Sequence, residues 1–149
     1  MKKEDKELLL EDLCARLPYG VKCQVREDEF TYIGTLCRIE VDNKNGNLLD
    51  FAESMSGLDC QVYLSEVKPY LFSLSSMTEE QWNNSPSVNL TEFTFDSFKC
   101  GCFTIASYTC DNNLHDLVEF INWLIENHFD INGLIEKGLA IDATGKNIY

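Results

Sequence analysis

The stretch FTYIGTLCRIEV, Phe30 to Val41, carries the longest alternating pattern in the chain. Thr31, Ile33, Thr35, Cys37, Ile39 and Val41 alternate with Phe30, Tyr32, Gly34, Leu36, Arg38 and Glu40, and a period of two is that of a strand. Upstream, Val21, Cys23 and Val25 alternate with Lys22, Gln24 and Arg26, and Glu27-Asp28-Glu29 makes a charged turn between the two runs. Downstream, Asp42 to Gly46 reads as a hairpin turn, because Asn45-Gly46 suits the type I′ geometry that needs a positive φ twice. Leu48 to Ala52 and Leu58 to Leu64 add two short strands, separated by Ser54-Met55-Ser56-Gly57. Four short antiparallel strands, closed off by Glu66 to Tyr70, predict a small SH3-like β-barrel over residues 21–72; closure removes unpaired strand edges.

Helical spacing flanks this β-rich block. Before it, Leu9, Leu10, Leu13, Cys14 and Leu17 share a face, with Glu7, Glu11 and Arg16 pointing elsewhere, so residues 1–20 hold an N-terminal helix stopped at Pro18-Tyr19-Gly20. After it, Ser76 to Gln81 offers two overlapping capping boxes, Ser76 with Glu79 and Thr78 with Gln81, opening a short helix that ends at Asn84-Ser85-Pro86. Weak alternation over residues 88–110 suggests a hairpin, with Gly101 at a bulge or turn. From Leu114 to Asn127, Leu114, Leu117, Val118, Ile121, Leu124 and Ile125 form an apolar stripe that should be buried, with Phe120 beside it. Trp123 falls on the opposite side, there to be covered by the chain end or left for a partner.

The remaining stretch, Asn127 to Tyr149, sets Phe129, Ile131, Leu134, Ile135, Leu139 and Ile141 among Gly133, Gly138 and Gly145. Asp130 or Asn132 can cap a short helix and Gly138 can end it. Such a segment cannot bury its own side chains, so it should dock as a C-terminal clasp. The whole reads as one α+β domain over 1–149, a small SH3-like barrel flanked by N- and C-terminal helices, with a helical and mixed segment from 73 to 149.

Charge narrows the function classes. The chain has 25 acidic residues against 12 basic ones, a net charge of −13. That balance opposes nucleic-acid phosphates, whose binding depends on Lys and Arg displacing counterions, and it opposes anionic membrane surfaces. The acids are spread along the chain, so the pattern fits a solvated acidic surface or mimicry of a nucleic-acid backbone. Charges interrupt the apolar run after Met1-Lys2-Lys3, which argues against a signal peptide, and no run reaches the ~20 apolar residues of a membrane span. A cytoplasmic location follows as the expectation, with the seven cysteines reduced.

Three segments also carry a resemblance: KELLLEDLCARLPYGVKCQV (Lys6 to Val25), EVKPYLFSLSSMTEEQ (Glu66 to Gln81) and HFDINGLIEKGLAIDATGKNIY (His128 to Tyr149). Each resembles small proteins encoded by gut Bacteroidales genomes and their phages, a group with no known activity, cofactor or catalytic residue. The resemblance implies a context, a bacterial cytoplasm under phage control; with the acidic balance and the missing catalytic motifs it points to a bacterial host protein as the partner.

Few residues offer chemistry. Cys100, Cys102, Cys110 and His115 are the candidate zinc ligands, since thiolates and an imidazole suit a tetrahedral site, but one residue between the first pair is fewer than common zinc motifs use. His115 and His128 are the only histidines that could activate a thiol, and His128 reads better as a core or capping residue. Glu27, Asp28 and Glu29, or Asp50 and Glu53, do not stand out in so acidic a chain, and no Gly-rich phosphate loop or nucleophile elbow occurs. No catalytic residue or cofactor is expected. The recognition candidates are Phe30, Tyr32, Leu36 and Arg38 on the even face of the long strand, with Tyr19, Tyr70 and Trp123.

These readings predict a non-enzymatic acidic binding protein that engages a bacterial protein. The alternative is an oligomeric protein sequestering a nucleotide, for which Lys22, Arg26, Arg38 and Lys68 are the available cations. A zinc- or cysteine-dependent enzyme ranks behind both.

Overall fold

A computed structural model describes residues 1–27, 29–41, 47–52, 61–86, 94–99 and 113–149. The order is α1 (Lys3–Arg16), β1 (Lys22–Glu27), β2 (Phe30–Glu40), β3 (Leu48–Phe51), β4 (Gln61–Tyr63), β5 (Val67–Leu71), α2 (Glu79–Asn83), α3 (Phe95–Lys99), α4 (Asn113–Glu126) and β6 (Ile141–Asp142). The fold is α+β: the six strands form one mixed sheet in the order β4-β3-β2-β1-β5-β6. β5 and β6 pair in parallel while the other neighbours are antiparallel. Among the described residues the sheet is open, with β4 and β6 as its edges, so the expected SH3-like closure is not seen. The predicted turn at 42–46 and the start of the fourth predicted strand lie outside the described residues.

Alternation makes the sheet two-faced. Cys23 and Val25 of β1, Tyr32 and Leu36 of β2, Leu49 and Phe51 of β3, Val62 of β4 and Val67 of β5 are buried with Leu9 and Leu13 of α1. Gly34 sits in this layer because an added Cβ would meet the Phe51 Cβ at 3.0 Å. The period of two breaks once: Leu36 pairs with Phe51 but Arg38 pairs with Asp50, so Cys37 is an extra residue in β2. Such a bulge reverses the alternation beyond it. Tyr32 and Leu36 therefore face the core while Arg38 and Glu40 face the other way, and the even positions do not make one surface.

A second, aromatic cluster lies under α4. Trp82 of α2, Phe95 and Phe98 of α3 and Phe120 of α4 meet at ring separations of 5.1–6.0 Å. The capping box that forms is Thr78 with Gln81, which satisfies two free N–H groups at the start of α2. Phe95–Lys99 is helical rather than part of a hairpin, with the Thr94 hydroxyl accepting from the Ser97 N–H. The rest of the predicted hairpin lies outside the described residues.

From 127 onward the chain binds back onto the sheet. The Phe72 N–H donates to the His128 carbonyl at 2.9 Å, and the Asp130 N–H returns to the Phe72 carbonyl at 2.8 Å. Further on, the Ala143 N–H donates to the Leu71 carbonyl, and Leu134, Leu139 and Ala140 join the main core. Asp130 accepts from the Leu134 and Ile135 N–H groups, but what it caps is a single hydrogen-bonded turn and not a helix. Gly138, at φ 70°, closes that turn, with Gly138 N–H to the Ile135 carbonyl and Leu139 N–H to the Leu134 carbonyl, a Schellman motif. Among the described residues no helix is long and apolar enough to cross a membrane.

Candidate interaction surface

Three kinds of site bear on function: the residues expected to form a recognition patch, the buried polar groups, and the face of α4. The expected patch does not assemble. Tyr32, Leu36 and Tyr70 are 8%, 2% and 6% exposed, so three of its seven members are core residues. Arg38 is at the surface but neutralised by Glu40 at 3.0 Å and Asp50 at 3.6 Å. Phe30 projects at one end of β2, and Tyr19 is exposed in the turn after α1. Trp123 is half-buried, stacked between Phe120 at 6.3 Å and Phe129 at 6.0 Å, so a residue of the 127–149 segment covers it.

Buried Asp12, Arg16 and His128 lie where α1 ends against the end of α4. Arg16 is fully buried, although the helical spacing predicted that it would point away. Its guanidinium donates to both Asp12 oxygens at 2.7 and 3.1 Å, and to the carbonyls of Ile125 at 3.1 Å and Phe129 at 2.7 Å. The Ile125 carbonyl belongs to the negative end of α4, where a cation is favoured, and the Phe129 carbonyl lies in the chain just beyond it. Asn132 donates to Asp12 as well. A signal for this existed in sequence: Asp12 and Arg16 stand four apart, the spacing of a helical ion pair.

His128 completes the junction. It occupies the left-handed position after α4 at φ 61°, where glycine is usual, and donates its N–H to the Ile125 carbonyl. Its ring is buried and stacks on Tyr149 at 4.1 Å. Burial first, and the nearby Arg16 second, lower its pKa to about 4, so the ring is neutral at pH 7. The Tyr149 hydroxyl donates to the Tyr70 carbonyl at 2.7 Å and accepts from the Lys22 N–H at 3.2 Å; burial pushes its pKa up. The arrangement caps and docks, and it presents no nucleophile: the thiol of buried Cys23 is pushed far up, chiefly by burial and then by the Asp12 charge.

A cleft of about 380 Å³ opens between the Leu74–Ser76 turn, α3 and the 130–136 segment, with Ser73, Ser75, Phe98, Ile131 and Glu136 on its walls. Asp130 also lines it, but both its carboxylate oxygens are committed to backbone N–H groups. Cys100, Cys102 and Cys110 lie outside the described residues; His115 is exposed and lies 3.3 Å from Glu119.

The face of α4 differs most from its prediction. The helix buries Phe120 and Leu124, with Leu117 and Trp123 packed beside them. Leu114, Val118 and Ile121 point outward at 76%, 46% and 37% exposure. Spaced by four and three residues they form one stripe, continued by half-buried Ile125. The stripe predicted to face the core thus divides, and about half of it faces solvent. Glu119, Asn122 and Glu126 are exposed on the adjoining side, and α4 contains no Lys or Arg.

The sheet face turned away from the core carries the other expected cations. Lys22, Gln24 and Arg26 alternate with buried residues of β1, and Lys68 lies opposite Gln24. Among the described residues none of these three cations makes an ion pair. No protein-family model matches the chain, and no curated protein and no solved structure matches it.

Proposed function

We propose that this chain is a non-enzymatic acidic binding protein, encoded by a phage or mobile element, that engages a bacterial protein in the cytoplasm through α4. One observation carries the reading: Leu114, Val118 and Ile121 form an outward apolar stripe on a helix whose other face is already anchored by aromatic packing. Contiguous exposed apolar residues mark interaction sites, whereas single ones are ordinary. The acidic balance and the resemblance to phage-encoded proteins support the same reading. The experiment is affinity capture from a bacterial lysate with the wild-type chain and with Val118→Glu, whose exposed position leaves the fold intact. A host protein retained by the first and lost by the second supports the reading. Equal capture by both refutes α4 as the site, and Phe30→Ala in parallel tests the remaining exposed aromatic of β2.

A second reading, sequestration of an anionic small molecule such as a nucleotide by an oligomer, draws on the grouping of Lys22, Arg26 and Lys68 around Gln24. Calorimetric titration with nucleotides tests it: binding lost in a Lys22→Ala/Lys68→Ala chain supports it, and absence of heat refutes it.

A further inference from the structure

We infer that the outer face of β5, β1 and β2 is a docking surface of its own, whose occupant is an extended acidic segment of a partner protein. This face lies on the sheet, and its use does not depend on α4 being a docking site. Alternation puts Lys22, Gln24 and Arg26 of β1 on it. Gln24 stands directly opposite Lys68 of β5 on one side and Ile33 of β2 on the other, with Thr35 opposite Lys22 and Thr31 opposite Arg26. Residues directly opposite in an antiparallel pair share a face, so three cations stand around one amide. Among the described residues, the side chains of Lys22, Gln24, Arg26 and Lys68 have no ion-pair or hydrogen-bond partner. Neighbouring cations are already engaged. Arg38 pairs with Glu40 and Asp50, and Lys146, 5.9 Å from the Tyr70 ring centre, donates to the Asp142 carbonyl.

The arrangement states the occupant's chemistry. No acid is among the outward residues of β1, of β5, or of β2 before the Cys37 bulge, so the face attracts anions. The net charge of −13 does not cancel this, because at physiological ionic strength charges more than about 8 Å away are largely screened. Successive outward residues of β1 are about 6.6 Å apart, which is also the spacing of alternate side chains in a second extended chain. Acids at alternate positions of such a segment meet Lys22, then Lys68 beside Gln24, then Arg26. Ile33, 43% exposed between two threonines, offers an apolar spot to the segment's other side chains. Nucleic acid fits less well. Single strands stack their bases on aromatic rings, but Phe30 and Tyr32 alternate toward the other face, and Tyr70, next after Lys68 in the outward alternation, is 6% exposed. The same lack tells against the base of a nucleotide.

The test uses a labelled peptide of about 12 residues, enough to span β1 at about 3.3 Å each, with glutamates at alternate positions and valine or threonine between them. A second peptide has glutamine in place of every glutamate. Binding to the full chain is followed by fluorescence anisotropy at physiological ionic strength. The glutamate peptide is expected to bind more tightly than the glutamine one. Lys22→Gln/Arg26→Gln/Lys68→Gln is expected to weaken it about tenfold, since three exposed pairs each contribute little. Lys68→Glu alone, at an exposed position, is expected to act in the same direction and stands in should the triple variant not fold. Lys2→Gln/Lys3→Gln/Lys6→Gln makes the same charge change at exposed positions elsewhere and is expected to leave binding nearly unchanged. If both triple variants act alike, the attraction is global and the inference falls. Equal binding of the two peptides, or binding of neither, overturns it. Loss of the glutamate peptide in Val118→Glu would put that peptide on α4 and overturn it too. If ATP or a short oligothymidylate binds these cations more tightly than the peptide does, the ligand carries phosphate and the inference is again overturned. The α4 reading stands or falls separately, by capture from the lysate.

Discussion

Removing one member of the Asp12–Arg16 pair should cost more than removing both. Neither side chain can reach water: Arg16 is 0% exposed and Asp12 2%. In Asp12→Ala the guanidinium keeps the Ile125 and Phe129 carbonyls but loses its carboxylate partner, and the Asn132 amide loses its acceptor. A buried charge stripped of its partner costs about 3–5 kcal/mol. Arg16→Met strands the carboxylate instead and leaves the Ile125 and Phe129 carbonyls without their charged donor, a loss of similar size. The double variant Asp12→Leu/Arg16→Met buries no charge, so its cost comes from the two carbonyls and imperfect packing, about 1–3 kcal/mol. With each single at 3 or more and the double at 3 or less, the coupling is at least about 3 kcal/mol. Urea unfolding followed by far-UV circular dichroism supplies the global measure, and fluorescence of Trp82 and Trp123, which pack on Phe120, reports on α4. A loss of about 4 kcal/mol is a large part of the 5–15 kcal/mol typical of a domain, so a folded double beside unfolded singles is itself the predicted pattern. Additive costs, or singles that lose less than about 1 kcal/mol, would refute the pairing as the organiser of this junction.

Two further outcomes follow from the same geometry. His128 has a folded pKa of about 4 against 6.5 when unconstrained, so the unfolded chain takes up its proton first as pH falls. Its contribution is whole above about pH 6.5 and is lost between there and about pH 4, amounting to about 3 kcal/mol. His128→Asn, which tolerates the left-handed backbone, should flatten the stability profile over that window, and parallel slopes for the two chains would show that burial of the imidazole is not felt. Gly34→Ala should lower stability by about 1–3 kcal/mol in thermal melts, because the new methyl meets a Phe51 carbon bonded directly to the backbone, which no rotamer change can move; an unchanged melting temperature would mean that β2 and β3 separate easily there.

Much of the local structure was legible because it depends on neighbours in sequence. The strands β1, β2 and β3, the Thr78–Gln81 box and the capping role of Asp130 all follow from side chains within a few positions of one another. Closure was not legible. Whether β4 meets β5 or leaves an edge depends on where the 127–149 segment lays β6, which no short window contains. The Cys37 bulge was equally hidden, because one extra residue costs the alternation pattern nothing when Leu36, Cys37 and Ile39 are all apolar. That single insertion divided the predicted recognition patch, sending Tyr32 and Leu36 inward and Arg38 outward.

The two helices fail in a related way, and the failure is informative about function. Periodicity states which residues share a face; it does not state which face meets the core. For α1 the difference is supplied by Arg16, whose burial is bought by four hydrogen bonds to groups that only tertiary structure assembles. For α4 it is supplied by the aromatic rings of Trp82, Phe98 and Phe129, which draw in Phe120 from beside the predicted stripe and Trp123 from opposite it. Turning the helix toward those rings leaves Leu114, Val118 and Ile121 outside. In a helix whose only task is to cover a core, the apolar face and the buried face coincide. Here they are offset. One apolar face of the helix meets the chain's own aromatic cluster, and on the function proposed above the other is the face kept for a partner protein.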